Sequence, residues 1–270
     1  MTLPIDTIFV RHGQSEGNLA KRKADAGDHS AMSPEFLGRH TSSFRLTDLG
    51  RHQAKLAGEW LRGEFFKTSY GFDRYFVSEY IRAIETAGEF GLPQAKWYPK
   101  NVLTERDWGD LDRCNEEERV ARFAENLKMR HVDPFFWKPP NGESFQQLTS
   151  RLDRMLDTLH RQCSDKRVIL VCHGEVMWAA RVVLERMSQE RFKELHLSDD
   201  PRHRIHNCQI IHYTRRDPET DELADRANWM RMIRPADSPV KIFPWVKIKR
   251  PSYSNDELLE LAGKVTPMFT

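Results

Sequence analysis

Two histidines stand in matching contexts far apart in the chain. His12 lies in Arg11-His12-Gly13, directly after Ile8-Phe9-Val10, and His173 lies in Cys172-His173-Gly174-Glu175, directly after Val168-Ile169-Leu170-Val171. A short apolar run rich in β-branched residues reads as a strand buried on both faces. In an open α/β sheet, the residue at the C-terminal tip of such a strand faces the crevice where ligands bind. Two imidazoles at two such tips suggest one site. After His12 the chain runs Gln14-Ser15-Glu16-Gly17-Asn18, so Arg11, Ser15 and Asn18 put a guanidinium, a hydroxyl and an amide close to the imidazole. Those donors suit phosphoryl oxygens. Neutral imidazole is a nucleophile, so the chemistry indicated is phosphoryl transfer through histidine.

One Arg-His-Gly tripeptide would be weak, because a histidine after a strand is more often a core residue bonded to a backbone carbonyl. Two further segments give it company. Phe76 to Ala87 reads as strand, turn and helix, with Arg82 in the first turn of that helix. The helix dipole favours anions there, so this arginine is either a solvated surface residue or faces an anion. Val102 to Asp110 gathers Glu105, Asp107 and Asp110 beside Trp108 and Gly109. A carboxyl packed against apolar surface keeps its proton more readily, and can donate it near neutral pH.

These segments, in this order, resemble the histidine phosphatase superfamily, the phosphoglycerate mutase-like fold, over roughly residues 5 to 214. The resemblance rests on Arg11-His12-Gly13, Ser78 to Ala87 with Arg82, Glu105-Arg106-Asp107-Trp108-Gly109, Pro140-Asn141-Gly142-Glu143-Ser144 before a helix, and His173-Gly174. Within the superfamily the stretches around His12 and Glu105 look most similar to the broad-specificity acid phosphatase branch. The resemblance implies a three-layer αβα sandwich on a mostly parallel sheet. It implies that His12 is the nucleophile that becomes phosphohistidine, and that Arg11, Arg82 and His173 bind the phosphoryl oxygens with Asn18 assisting. Ser15 either touches a phosphate oxygen or caps the next helix, and Gly174 opens a helix whose amides suit an anion.

Physical reasoning adds roles. Phosphoryl transfer needs positioning and charge neutralisation more than covalent help, and arginines with a protonated His173 supply both. His12 must be neutral, its proton held on the far nitrogen by an acceptor such as a backbone carbonyl, while His173 is expected to be the more cationic. Glu105 is the expected proton donor and then the base that activates water, with Asp107 as competitor, since residues two apart on an extended stretch share a face. Asp107, Asp110 and Asp112 otherwise read as a solvated loop. No metal and no cofactor is expected.

The chain has 270 residues, 39% of them hydrophobic, and a net charge of +2. That length can bury a large core as one domain with extensions, expected as 1–214 with an insertion near 113–143, followed by a C-terminal extension over 215–270. The small net charge gives no argument for nucleic acid, and no apolar run reaches membrane-spanning length. A cytoplasmic enzyme with reduced cysteines acting on a small phosphorylated substrate is the expectation, with phosphoglycerate mutase-type transfer or non-catalytic binding of a phosphorylated ligand as alternatives. The chain after Asn18 lacks the Phe-Thr-Gly-Trp type of loop seen in dependent mutases.

Helical periodicity predicts a helix from about Leu46 to Phe66, buried through Leu49, Ala54, Leu56, Ala57, Trp60 and Leu61, and another over Ser144 to Cys163 with its stripe at Phe145, Leu148, Leu152, Met155, Leu156 and Leu159. Residues 113–143 read as a charged helix, lid or plain surface, followed by an aromatic and proline-rich loop. His203-x-x-His206 lacks partner thiols, so it reads as part of a basic rim that attracts anions rather than as a zinc site. The tail is expected to pack on the main domain or at a contact in a homodimer, because its aromatics need cover.

Overall fold

The apolar runs before the two histidines form adjacent central strands of one sheet. The structure, a computed structural model, describes residues 2–67 and 71–269. In chain order its elements are β1 (Asp6–Arg11), α1 (Glu16–Asp25), α2 (Pro34–Gly38), α3 (Asp48–Phe65), β2 (Arg74–Ser78), α4 (Ile81–Glu89), β3 (Trp97–Lys100), α5 (Glu116–Val132) and α6 (Phe145–Gln162). They continue with β4 (Arg167–Cys172), α7 (Gly174–Glu185), α8 (Gln189–His196), β5 (Ile210–Thr214), β6 (Trp229–Arg234), β7 (Lys241–Ile242), β8 (Val246–Lys247) and α9 (Asn255–Gly263).

The strand order is β3-β2-β4-β1-β5-β6-β7, with β8 also on β6. β3, β2, β4 and β1 run parallel, whereas β5 to β8 are antiparallel additions. The expected α/β sandwich is therefore present on a sheet that is mixed. β5 follows α7 and α8 yet returns antiparallel to β1, and β6 to β8 are then added through loops without helices between them.

Alternation along the strands explains the layers. Ile8, Val10, Ile169 and Val171 face one core with Ala54, Ala57 and Leu61 of α3. Phe9, Val168 and Leu170 face the other with Leu148, Leu152 and Leu159 of α6. Both faces are thus covered, which is why these strands are continuously apolar. In α3 the expected stripe holds except that Leu49, in the first turn, is 44% exposed.

In-register pairing of β1 and β4 sets Arg11 opposite Cys172, so His12 and His173 leave the sheet side by side. The His12 N–H donates to the Cys172 carbonyl at 3.0 Å. Beyond β1 the chain passes so close to α3 that a Cβ on Gly13 would lie 2.3 Å from the Gly50 oxygen, and one on Gly50 would lie 2.0 Å from the Gln14 oxygen. Only glycine at both positions allows this approach.

The stretch over residues 14–46 holds α1 and α2. The 113–143 insertion contains α5, which has no buried residue and is kinked at Phe123. The aromatic loop after it packs inward. Trp137 is buried, donating its Nε1–H to the Asn126 carbonyl at 2.8 Å, and Phe135 lies against Phe145 and Phe192. In the tail, β6 joins the sheet through β5, while α9 leaves every residue exposed.

Candidate active site

His12, Arg11, Arg82, His173 and Ser78 converge at the C-terminal edge of the parallel strands. Both imidazoles are buried, with ring centroids 5.0 Å apart. The tautomer of His12 follows from its partners. Its Nδ1 lies 2.7 Å from the Gly13 carbonyl, which can only accept, and its Nε2 receives the Arg82 Nε–H at 3.1 Å, which can only donate. The proton is therefore on Nδ1, and Nε2 carries the lone pair, as expected for a nucleophile.

His173 Nε2 is 2.7 Å from Ser78 Oγ, and its Nδ1 is buried without a partner, as is the Nε of Arg11. The expectation that His173 is the more cationic needs correction. Burial, and then the charges of Arg82 and its neighbours, hold both imidazoles well below the ordinary histidine value. Without an anion in place, the two nearby guanidiniums make a third cation between them unfavourable.

Arg82, at the start of α4, is 6% exposed, which decides between surface and site. Its Nη1 donates to the Thr41 carbonyl at 2.6 Å, and its guanidinium lies 4.8 Å over the Tyr80 ring. Arg11 Nη1 donates to the Ile205 carbonyl. Ser15 caps α1 and forms a capping box with Asn18. The Asn18 Oδ1 also accepts from Asn207 Nδ2 at 3.0 Å, so Asn18 is held with its amide at the cavity wall. Gly174 opens α7 beside Arg11, and a Cβ there would make ordinary contact with the Arg11 side chain at 3.6 Å. The space there would admit a side chain, so closeness of approach does not require glycine.

Glu105 is half-buried and lines the same cavity as His12 and Arg82. Burial, reinforced by the charge of Glu175, pushes its carboxyl up to about 7. Asp107 is exposed, holds the Gly109 N–H at 2.8 Å, and faces different grooves. Asp112, expected in a solvated loop, lines the cavity instead, and burial with the nearby Asp107 charge pushes it up to about 6.

Sequence reasoning gave no role to Glu175, His196 or Arg106. Glu175, in the first turn of α7, accepts from His196 Nε2 at 3.0 Å and lies 3.5 Å from Arg106 Nη1. Burial alone would raise its carboxyl, but these partners hold it down to about 2. Arg106 touches both acids, since its backbone N–H donates to Glu105 Oε1 at 3.0 Å. The only local signal is Glu175 directly after His173-Gly174; no spacing points to His196.

A family model described as the histidine phosphatase superfamily (branch 1) matches residues 7–225. A 2,3-bisphosphoglycerate-dependent phosphoglycerate mutase of Methylobacterium radiotolerans is 30% identical over 196 residues, covering 70% of this chain and 84% of the relative. A 6-phosphofructo-2-kinase/fructose-2,6-bisphosphatase of Gallus gallus is 29% identical over 175 residues, 64% of this chain but 31% of that longer protein. A mycobacterial glucosyl-3-phosphoglycerate phosphatase in complex with VO3 shares the fold at TM-score 0.58 and 21% identity, covering 77% of this chain and 92% of that one.

Proposed function

The chain belongs to the histidine phosphatase superfamily (branch 1), and from that premise we propose that it is a phosphomonoester hydrolase working through a covalent phosphohistidine on His12. The observation that carries this reading is the His12 tautomer, set by the Gly13 carbonyl on one side and Arg82 on the other. An incoming phosphoryl group takes over the Arg82 donors, freeing the Nε2 lone pair to attack phosphorus. The bond from phosphorus to the ester oxygen breaks, and protonated Glu105 gives its proton to that leaving alkoxide. Arg11, Arg82 and the His173 ring stabilise the three equatorial oxygens. Water then attacks the phosphohistidine while Glu105, now ionised, takes its proton, releasing inorganic phosphate and restoring neutral His12. All charge neutralisation comes from side chains, so we expect no metal requirement: turnover after chelator treatment should match the untreated enzyme.

The test is hydrolysis of an aryl phosphate from pH 5 to 8 by the wild type and His12→Ala, with trapping of acid-labile phosphoenzyme. The variant should lose about a thousandfold or more of turnover and all trapped phosphate. Undiminished turnover in the variant would refute the covalent mechanism, and no turnover by the wild type would favour the binding reading. The mutase names of the relatives favour a second reading, in which the phosphoryl group returns to the substrate. A cleft of about 890 Å³ beside Glu105 is roomy enough to admit water, which supports hydrolysis over retention. Conversion of 3-phosphoglycerate to its 2-isomer faster than phosphate release would reverse that choice.

A further inference from the structure

The cleft around the two histidines has two parts. The smaller, about 230 Å³, is lined by His12, Ser15, Asn18 and Arg82. The larger, about 890 Å³, is lined by Arg11, Gly174, Glu175, Trp178 and Arg204. Glu105, Trp108, Asp112 and Arg119 lie in both walls. We propose that the larger chamber is a subsite for a bulky, negatively charged leaving group, so that the preferred substrates are phosphomonoesters with a ring-sized body and a second anion remote from the scissile phosphate. This rests on the phosphatase reading above.

Position is the first argument. The phosphoryl group sits with His12 and Arg82, and Glu105 must reach the ester oxygen, so the leaving group extends past Glu105 into the larger chamber. Size is the second. Its volume falls within the range of about 300–1,000 Å³ found for pockets that enclose drug-sized ligands, far more than a three-carbon acid fills. The third is the lining. Trp108, Leu127, Trp178 and Leu195 offer apolar wall, and the Arg130 guanidinium lies 4.9 Å over the Trp108 ring, which holds a cation against that wall.

Charge supplies the second anion. The acids in the wall are accounted for. Asp25 pairs with Lys21 at 3.0 Å, Glu116 with Arg119 at 3.6 Å, and Glu175 with His196 and Arg106. Burial favours the neutral forms of Glu105 and Asp112. Arg130 and Arg204 have no carboxylate within 4.0 Å among the described residues. His196 and His203 lie in the same wall.

The test compares 2-naphthyl phosphate with its 6-carboxy derivative at fixed ionic strength, alongside 3-phosphoglycerate. The carboxylated ester should show a kcat/KM at least about tenfold above the plain ester and above 3-phosphoglycerate, and the pair Arg130→Met with Arg204→Met should bring the ratio of the two naphthyl esters close to one. Equal values in the wild type, or a ratio that survives the double substitution, overturns the proposal. Calorimetric titration with the product 6-hydroxy-2-naphthoate needs no turnover and should show at least about tenfold tighter binding than 2-naphthol. If the naphthoate binds with that preference but no ester is hydrolysed, the phosphatase reading fails and the subsite stands. If both esters are hydrolysed equally and the naphthoate binds no better than naphthol, the subsite fails and the phosphatase reading stands.

Discussion

In the proposed mechanism Glu105 carries the proton whose position governs the pH dependence. The first chemical step needs it protonated and its carboxyl lies at about 7, so kcat/KM falls tenfold per unit as pH rises above about 7. His12 is held well below its ordinary value, so its neutral, nucleophilic form persists through mildly acidic pH. Glu105→Gln should lower kcat/KM by about 10²–10⁴, most for esters with poor leaving groups. Asp107→Asn, at an exposed position, should stay within about twofold. Because the Glu175 charge helps to raise Glu105, Glu175→Gln should move the alkaline limb of the profile to lower pH. An unmoved limb with a merely smaller kcat would make Glu175 structural only. The strand-tip residues were legible because each follows a recognisable apolar run. The Glu175 cluster was not, since it depends on the packing of α8 against α7, and that contact leaves no local pattern. The misjudged charge on His173 has a similar origin: the sequence shows which groups are ionisable, but not that two guanidiniums would share its burial.

At the scale of elements, α6 is the clearest case of a helix read from its sequence. Its buried residues are the six apolar positions of the expected stripe, and Ser144 caps it in a capping box. Where exposure replaces periodicity the reading weakens. α5 bears no buried residue, so its sequence shows no core stripe, yet Glu116, Arg119, Leu127 and Arg130 line the cleft beside Glu105, a contact that only the fold reveals. The two-residue strands β7 and β8 are too short to carry alternation. The meeting of Gly13 with Gly50 joins the loop bearing His12 to α3, and Gly50→Ala puts a methyl 2.0 Å from the Gln14 oxygen. Relief requires backbone movement at His12's own loop. We expect a loss of about 1–3 kcal/mol in chemical denaturation, with a fall in kcat larger than that of an equally destabilised variant with a substitution in the core of α6.

Over the whole molecule, the α/β class was legible from alternating strand and helix signals, whereas the antiparallel half of the sheet depends on pairings of segments with weak patterns. No helix among the described residues is long and apolar enough to cross a membrane. α9 buries none of its residues, so deleting residues 254–270 should leave the melting temperature within about 2 °C. A larger drop would mean that the tail packs on the domain. The central place of β1 has a further consequence for synthesis. Its two neighbours, β4 and β5, lie at 167–172 and 210–214, so the strand that leads into His12 is made long before either of its partners. Until β5 emerges, one side of β1 presents unpaired backbone donors and acceptors. A message truncated before that point would yield a chain that is both inactive and prone to stick to its copies.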